Sequence, residues 1–392
     1  MLILGLTLLV MLAIGIAQMF RHNALNPQQI IEFAGAIILF IGAIIAVVIN
    51  RKLRKFQPLK SFLAFGSMIL LSLAAIAFGY FTVIDGSKLI AMMSNASNWE
   101  QTRNLHSLQI SGGRHDWEQT NLNNENLTAF YDELRQTNSA FIIDPSNILF
   151  IENDVMPFAD MTTAPPLELT PHGNRITATI EYLNRMGVND DIISQIDSDT
   201  DVLNIIVPEN LRNYESQITE LYLEEFYFSK IGIANMYNEE LNLPQDETTI
   251  DDLSVNIIYA PVNSSYFVYD YRVAESNGNV IVDPIIWIDT NNVSVSRLAT
   301  FISNGLLFSS ASEYAMSEIQ PIVSRHNLDD VIIGTDSLFA EYQQHMNRLY
   351  WSVFSRIGLI AVMALTVIEV NKSRKHFTSN SPASDDYAIP AN

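Results

Sequence analysis

RKLRKFQPLK, residues 51–60, lies between two long apolar runs and carries Arg51, Lys52, Arg54, Lys55 and Lys60. A second basic cluster, Lys372, Arg374 and Lys375, follows the last apolar run. Lys and Arg beside a spanning segment resist translocation, so both clusters are expected in the cytoplasm. Everything between the third and fourth apolar runs is then expected outside the cell.

Four segments are apolar enough to span a bilayer: Leu2–Phe20, Ile30–Asn50, Phe62–Ile84 and Leu349–Ile368. About twenty residues at about 1.5 Å each cover roughly 30 Å of hydrocarbon. A helix is the only single-segment solution, because unpaired backbone groups in lipid are costly. The expected fold class is therefore a membrane protein with four transmembrane α-helices plus a large extracellular α+β (mixed α/β) domain. Its expected parts are three helices in 1–84 (about 2–20, 30–50 and 62–84), with a basic cytoplasmic loop at 51–60. An acidic domain follows over 85–348, then a fourth helix over 349–370 and a cytoplasmic tail over 371–392, basic and then disordered. The expected location is the plasma membrane, crossed several times.

Tyr80, Phe81, Tyr350 and Trp351 fit an interfacial aromatic belt at the outer ends of the third and fourth spans. Arg356, one and a half turns into the fourth span, either snorkels to the outer headgroups or acts as an intramembrane charge, with Glu32 and Glu369 as candidate partners. The first apolar run has no Lys or Arg before it and Arg21-His22 directly after it. Those flanks favour a retained helix over a cleaved signal peptide. Gly35, Ala36, Gly42, Ala43, Gly66 and Ala75 offer small-residue faces for close helix packing, and ordinary apolar filler is the competing reading.

Residues 85–348 hold 39 acidic and 12 basic residues, within a whole-chain charge of −21. A domain so acidic repels nucleic acid and anionic headgroups and draws cations and cationic peptides. Simple solubility is the plainer reading of the same charge. The chain has no cysteine, which excludes thiol catalysis, thiolate zinc sites and disulfides, a pattern shared by many Gram-positive surface proteins.

Along the domain, Asn126–Thr137 has helical apolar spacing. Ala140–Ile143 and Ile148–Glu152 read as strands joined by the turn Asp144-Pro145-Ser146-Asn147. Arg175–Leu183 suggests a further strand. Val202–Val207 is a compact β-branched strand, after which Pro208 opens a helix with an apolar face of Leu211, Tyr214, Ile218, Leu221, Tyr222, Leu223 and Phe226. Leu253–Ala260, Tyr266–Arg272 and Val280–Ile288 are strand candidates. Ser296–Asn304 and Ser312–Arg325 read as helices with Gly305 as a breaker.

Chemistry-bearing motifs are sparse. Asp197-Ser198-Asp199-Thr200-Asp201 starts like a calcium loop, but Val202 stands where Gly is needed and Pro208 where a bidentate Glu is needed, which favours a solvated turn. His106, His115, Asp116 and Glu118 lack the spacing of a zinc ligand set. His172-Gly173 reads as turn chemistry rather than a catalytic base. No phosphate-cradling glycine loop, nucleophile elbow or H-E-x-x-H helix occurs. No catalytic, cofactor-binding or metal-binding residue is expected, and the chain is not expected to be an enzyme.

LNIIVPENLRNYESQITELYLEEFYFSK (Leu203–Lys230), IANMYNEEL (Ile233–Leu241), DLSVNIIY (Asp252–Tyr259) and VDPIIWIDTNNVS (Val282–Ser294) form an ordered series of phrases. HGNRITATIEYLNRMGV (His172–Val188) and EIQPIVSRHNLDDVI (Glu318–Ile332) extend it. The series resembles the bacteriocin-associated integral membrane proteins of Gram-positive bacteria, which accompany bacteriocins of the lactococcin 972 type. The resemblance implies a role in bacteriocin export or self-immunity, with a layout like an ABC-exporter permease. Its implied partners are the lipid bilayer, an ABC ATPase subunit and a secreted cationic peptide. It carries over no catalytic residues. This chain departs from the family plan, with three expected spans before the domain and only one after it. The alternative is a non-transporting cell-surface binding or assembly module.

Overall fold

The computed structural model describes residues 57–111, 116–148, 166–312 and 314–379. Lys88–Asn347 forms one compact unit, and the described residues on either side of it belong to another.

In chain order the helices begin with α1 (Gln57–Ser94) and α2 (Ala96–Glu100). Strand β1 (Leu105–Ile110) precedes α3 (Trp117–Asn138), which starts nine residues before the expected helix. Its first turns are polar, so apolar spacing does not reveal them. Asp116 fixes the true start by accepting a hydrogen bond from the Gln119 backbone N–H at 2.8 Å. Strand β2 (Phe141–Asp144) does not turn back into a hairpin, because residues 146–148 are helical. Residues 149–152 of the expected partner strand lie outside the described residues.

Strand β3 (Arg175–Ala178) stops where Thr179 caps α4 (Ile180–Arg185), so the expected strand over 175–183 is half strand and half helix. After α5 (Asp190–Ile193) comes β4 (Val202–Pro208). Pro208 leads into a 3₁₀ turn over Glu209–Tyr214 and only then into α6 (Glu215–Tyr227). A π-helical turn, Phe228–Gly232, joins α6 to α7 (Ile233–Glu240). Strand β5 (Ser254–Ala260) follows, and then the short antiparallel pair β6 (Ser265–Phe267) and β7 (Val280–Val282). The expected strand over 280–288 is broken at Asp283, whose φ of 51° no strand sustains, so β8 (Ile285–Ile288) is separate. The chain closes with α8 (Val295–Gly305), β9 (Leu306–Ser309), α9 (Ala315–Arg325), β10 (Ile332–Ser337) and α10 (Leu338–Ser379).

Eight strands make one mixed sheet in the order β10-β1-β9-β2-β3-β8-β4-β5. The β3/β8 and β4/β5 pairs are parallel, and the remaining pairs are antiparallel. On one face, Phe130, Tyr131 and Leu134 of α3 pack with Phe301 and Ile302 of α8, Ile319 and Val323 of α9, and the strand residues Ile142 and Phe308. Next to them, Ile218, Tyr222 and Phe226 of α6 cover Leu203, Ile205, Val207 and Trp287. The opposite face carries a run of aromatics. Phe141 meets Tyr269, Tyr269 meets Phe267, and Phe267 meets Trp99, with ring centroids 5.6, 4.9 and 5.1 Å apart. Trp99 in turn stacks on Tyr342 at 4.6 Å. This two-faced burial gives the domain a core that needs no disulfide.

The four-helix membrane fold expected from sequence requires correction. The structure supports a large mixed α/β domain and, among the described residues, two helical stretches long and apolar enough to cross a membrane, Leu71–Ser94 and Leu338–Ile368. Both reach beyond the expected 62–84 and 349–368, because residues such as Asp85 and Arg348 end an apolar run without breaking a helix. The segments 2–20 and 30–50, including Gly35, Ala36, Gly42 and Ala43, lie outside the described residues, as do Arg51, Lys52, Arg54 and Lys55. In the tail, Lys372, Arg374 and Lys375 continue α10 to Ser379, and residues 380–392 lie outside the description. Around the spans, Leu73, Ile76, Val83, Phe354, Leu365 and Ile368 are exposed, more apolar surface than water tolerates. Among the described residues, a Cβ added at Gly66 would meet nothing within 4 Å.

Candidate functional site

The parallel strands β4 and β5 start side by side, and the Ser254 backbone N–H donates to the Asp201 carbonyl at 3.0 Å. The turns leading into them therefore collect at one end of the sheet. Asp197, Asp199, Asp201, Asp246, Glu247, Asp251 and Asp252 are all exposed there or in the adjoining turns. Lys230 meets this acidic rim, with its Nζ 2.6 Å from Asp201 Oδ1 and close to the Thr200 carbonyl.

Several of these carboxylates face their own backbone. Asp197 accepts from the Asp199 N–H at 2.9 Å, and Asp199 accepts from the Asp201 N–H at 3.0 Å. Asp252 accepts from the Thr249 hydroxyl and N–H, which holds its carboxyl below the usual range. Thr248 likewise lowers Asp246. The calcium-like stretch is thus a pair of side-chain-closed turns with an ammonium group beside them, and among the described residues no cluster has the make-up of a metal site.

The dispersed histidines do not converge. His106 is buried in β1, 5.8 Å from the Phe308 ring, and burial pulls its imidazole below the ordinary value, only partly offset by Glu318. Asp116 caps α3, Glu118 is exposed on it, and His115 lies outside the described residues. His172 sits in a turn with its Nε2 3.7 Å from Glu225 Oε2. Burial lowers its pKa, Glu225 raises it, and Arg175 and Arg297 lower it again.

Two buried polar groups escape sequence reasoning. At the carboxyl end of β8, the Asp289 carboxyl is 4% exposed, and burial raises its pKa to about 6. Its Oδ1 accepts from the Asn291 N–H at 3.2 Å, while Oδ2 has no hydrogen-bond partner among the described residues. At the opposite end of β8, Glu225 joins Arg297 (Nη2 to Oε1, 2.8 Å) beside the buried Arg175. The only sequence signal for either was a charged residue flush against an apolar strand, as in Ile285–Asp289 and Arg175–Ala178. A raised carboxyl is a functional-site signal only where substrate can reach it. Asp289 lies under α3, and the carboxylates acting on it, Glu181 and Asp132, do so at a distance rather than in contact.

A shallow groove on α9 is lined by Tyr314, Met316, Ser317, Gln320, Pro321 and Ser324, with Tyr314 73% exposed. Nothing in it is titratable except the tyrosine.

Comparison with protein-family models, with curated proteins and with solved structures finds no match to this chain in any of the three.

Proposed function

We propose that this chain is a membrane-anchored binding component of a bacteriocin export or self-immunity system, with its α/β domain outside the cell and a secreted cationic peptide as its ligand. The reading is non-catalytic and places the domain beside a permease-like assembly with an ABC ATPase subunit. The observation that carries it is the charge balance. With 39 acidic and 12 basic residues over 85–348, the domain between the two candidate spans projects a negative field, concentrated at the β4/β5 rim. Such a field speeds encounter with a cation and weakens as salt rises. The basic residues outside the domain, Lys60 on α1 and Lys372, Arg374 and Lys375 on α10, support a cytoplasmic side for the other ends of these helices.

The test is expression in a bacteriocin-sensitive strain, with protease shaving of intact cells to establish display. Increased tolerance is expected, and it should fall when Glu247→Gln and Asp251→Asn are combined, since neither residue takes part in the turn hydrogen bonds of the rim. Unchanged killing with the domain displayed refutes the immunity role. A domain sheltered from protease refutes the orientation.

One observation favours a second reading, a surface assembly module without transport. The α9 groove exposes Tyr314 and Pro321 beside the half-buried Met316, a patch that suits a protein neighbour better than a charged peptide. Copurification in detergent separates the two readings, because an associated ATPase belongs only to the first.

A further inference from the structure

Arg175 opens β3, and the parallel register places it on the sheet face that also carries Thr177, Ile285 and Trp287. Its guanidinium lies 5.2 Å from the Trp287 ring centroid, and the residue is 6% exposed. Its Nε and Nη1 are buried with no hydrogen-bond partner among the described residues. Arg297, projecting from α8 over the Phe301 ring, spends Nη2 on Glu225, and its Nε is buried without a partner. The Tyr222 hydroxyl on α6, under the same Trp287, is a third buried group without a partner.

Among the described residues, the nearby carboxylates are already engaged. Glu225 bonds Arg297, accepts from Ser229 and faces His172. Asp144 accepts from the Ser146 N–H and the Asn304 amide. Burial and then the like charge of Arg175 pull Arg297 below its ordinary pKa, against the smaller opposing pull of Glu225. Burial raises the Tyr222 hydroxyl, and Arg175 partly offsets that rise. Of these two buried guanidinium groups, only Arg297 contacts a carboxylate among the described residues. A buried cation with idle N–H groups is among the costliest arrangements in a fold, and in a native protein it calls for a partner.

We infer that Arg175, Arg297 and Tyr222 form a buried site for one small oxyanion, a carboxylate or a phosphate, admitted past the His172 turn. The chemistry is that of a guanidinium fork, whose fixed N–H groups match two oxygens of such an anion, with a phenolic O–H for a third contact. His172 suits the rim because its side chain is 51% exposed while it faces Glu225. The site is independent of the bacteriocin reading, because its ligand is an anion rather than a cation.

The experiment is thermal unfolding of the purified full chain in detergent. Sodium phosphate and, separately, sodium acetate are titrated against sodium chloride at matched ionic strength. A saturable rise of roughly 2–4 °C is expected from at least one oxyanion and none from chloride. Phosphate alone acting assigns a phosphate ligand, and acetate acting assigns a carboxylate. Arg175→Met should abolish the rise, and Tyr222→Phe should raise the half-saturating concentration severalfold. A purely structural Arg175 moves the starting transition temperature and leaves the titration intact. The site is overturned if neither oxyanion gives a saturable rise, or if Arg175→Met keeps the wild-type rise. Should Arg175→Met fail to fold, an unchanged half-saturation in Tyr222→Phe overturns it.

Discussion

Arg356 places Nη1 2.7 Å from Oδ2 of Asp85 and 3.0 Å from the Phe81 carbonyl, joining the two candidate spans. Ser352 donates to the same carboxylate oxygen at 3.2 Å, and Arg356 is 3% exposed. Among the described residues its carboxylate partner is Asp85, which sequence reasoning did not name, and the guanidinium does not snorkel free; Glu32 lies outside the described residues. Asp85→Ala removes a contacting carboxylate from this buried cation and should cost stability, by at most roughly 3–5 kcal/mol. Reversing both charges, Asp85→Arg with Arg356→Asp, should recover part of that loss. Thermal unfolding in detergent measures both, and wild-type stability in Asp85→Ala would remove the pair as a clamp.

Asp289 should make the domain less stable as pH rises. Its folded pKa, raised by burial to about 6, exceeds the unfolded value of about 3.9, so the native state binds more protons between them. Stability from this group is intact below pH ~4 and falls as pH climbs through ~6. A shift of about two units corresponds to roughly 3 kcal/mol, an upper bound for what Asp289→Asn regains at pH 7. The gain should vanish near pH 4. Paired urea titrations at the two pH values decide it, and equal gains at both would rule out an ionised Asp289 as the cause.

The sequence legible here was the part written as period. Apolar alternation or helical spacing exposed β4, β5 and α8 with small boundary errors, and α6 apart from the 3₁₀ turn that delays its start from Pro208 to Glu215. Three sheet strands went unread. β1 and β10 mix buried and half-exposed residues, and β9 is four residues attached to the end of α8, so their partners in the sheet define them rather than their own pattern. The buried clusters were illegible for a related reason. Arg175 and Trp287 are far apart in the chain and meet only when β3 and β8 pair, and Glu225 reaches Arg297 only when α6 and α8 pack on the same sheet. The acidic rim was half legible, since Asp197–Asp201 was visible as a solvated turn, but its union with Asp251 and Asp252 depends on the β4/β5 register.

Asn279 is a hub that composition disguises. It is fully buried in the left-handed region (φ 64°), accepts from Trp99 Nε1 at 3.2 Å, and donates to the Asp270 and Val273 carbonyls at 3.1 and 2.8 Å. Asn279→Ala strips all three bonds and puts a Cβ-bearing residue without Asn's local hydrogen bonding at positive φ. A loss of at least about 3 kcal/mol is expected, since each stranded buried group costs roughly 1–3 kcal/mol. Asn279→Gly relieves the backbone alone and should recover only a small part. The denaturation midpoint should drop at unchanged slope, and Trp99 emission offers a local probe. Near-wild-type midpoints would show the network to be dispensable.

Gly305 and Gly66 make opposite predictions from the same residue type. At Gly305, where α8 ends and β9 begins, an added Cβ would stand 2.3 Å from the Ile143 carbonyl oxygen and 2.9 Å from the Asp144 nitrogen. Those atoms belong to β2, whose pairing with β9 leaves the backbone no room to yield. Overpacking of a rigid neighbour costs about 1–3 kcal/mol or more, so Gly305→Ala should be clearly destabilising. At Gly66 a Cβ meets nothing within 4 Å among the described residues, and in a helix interior alanine outperforms glycine by about 1 kcal/mol. Gly66→Ala should therefore be neutral or mildly stabilising in the same detergent melt. Equal effects at the two positions would mean that helix propensity, rather than the close approach of α8 to β2, governs Gly305.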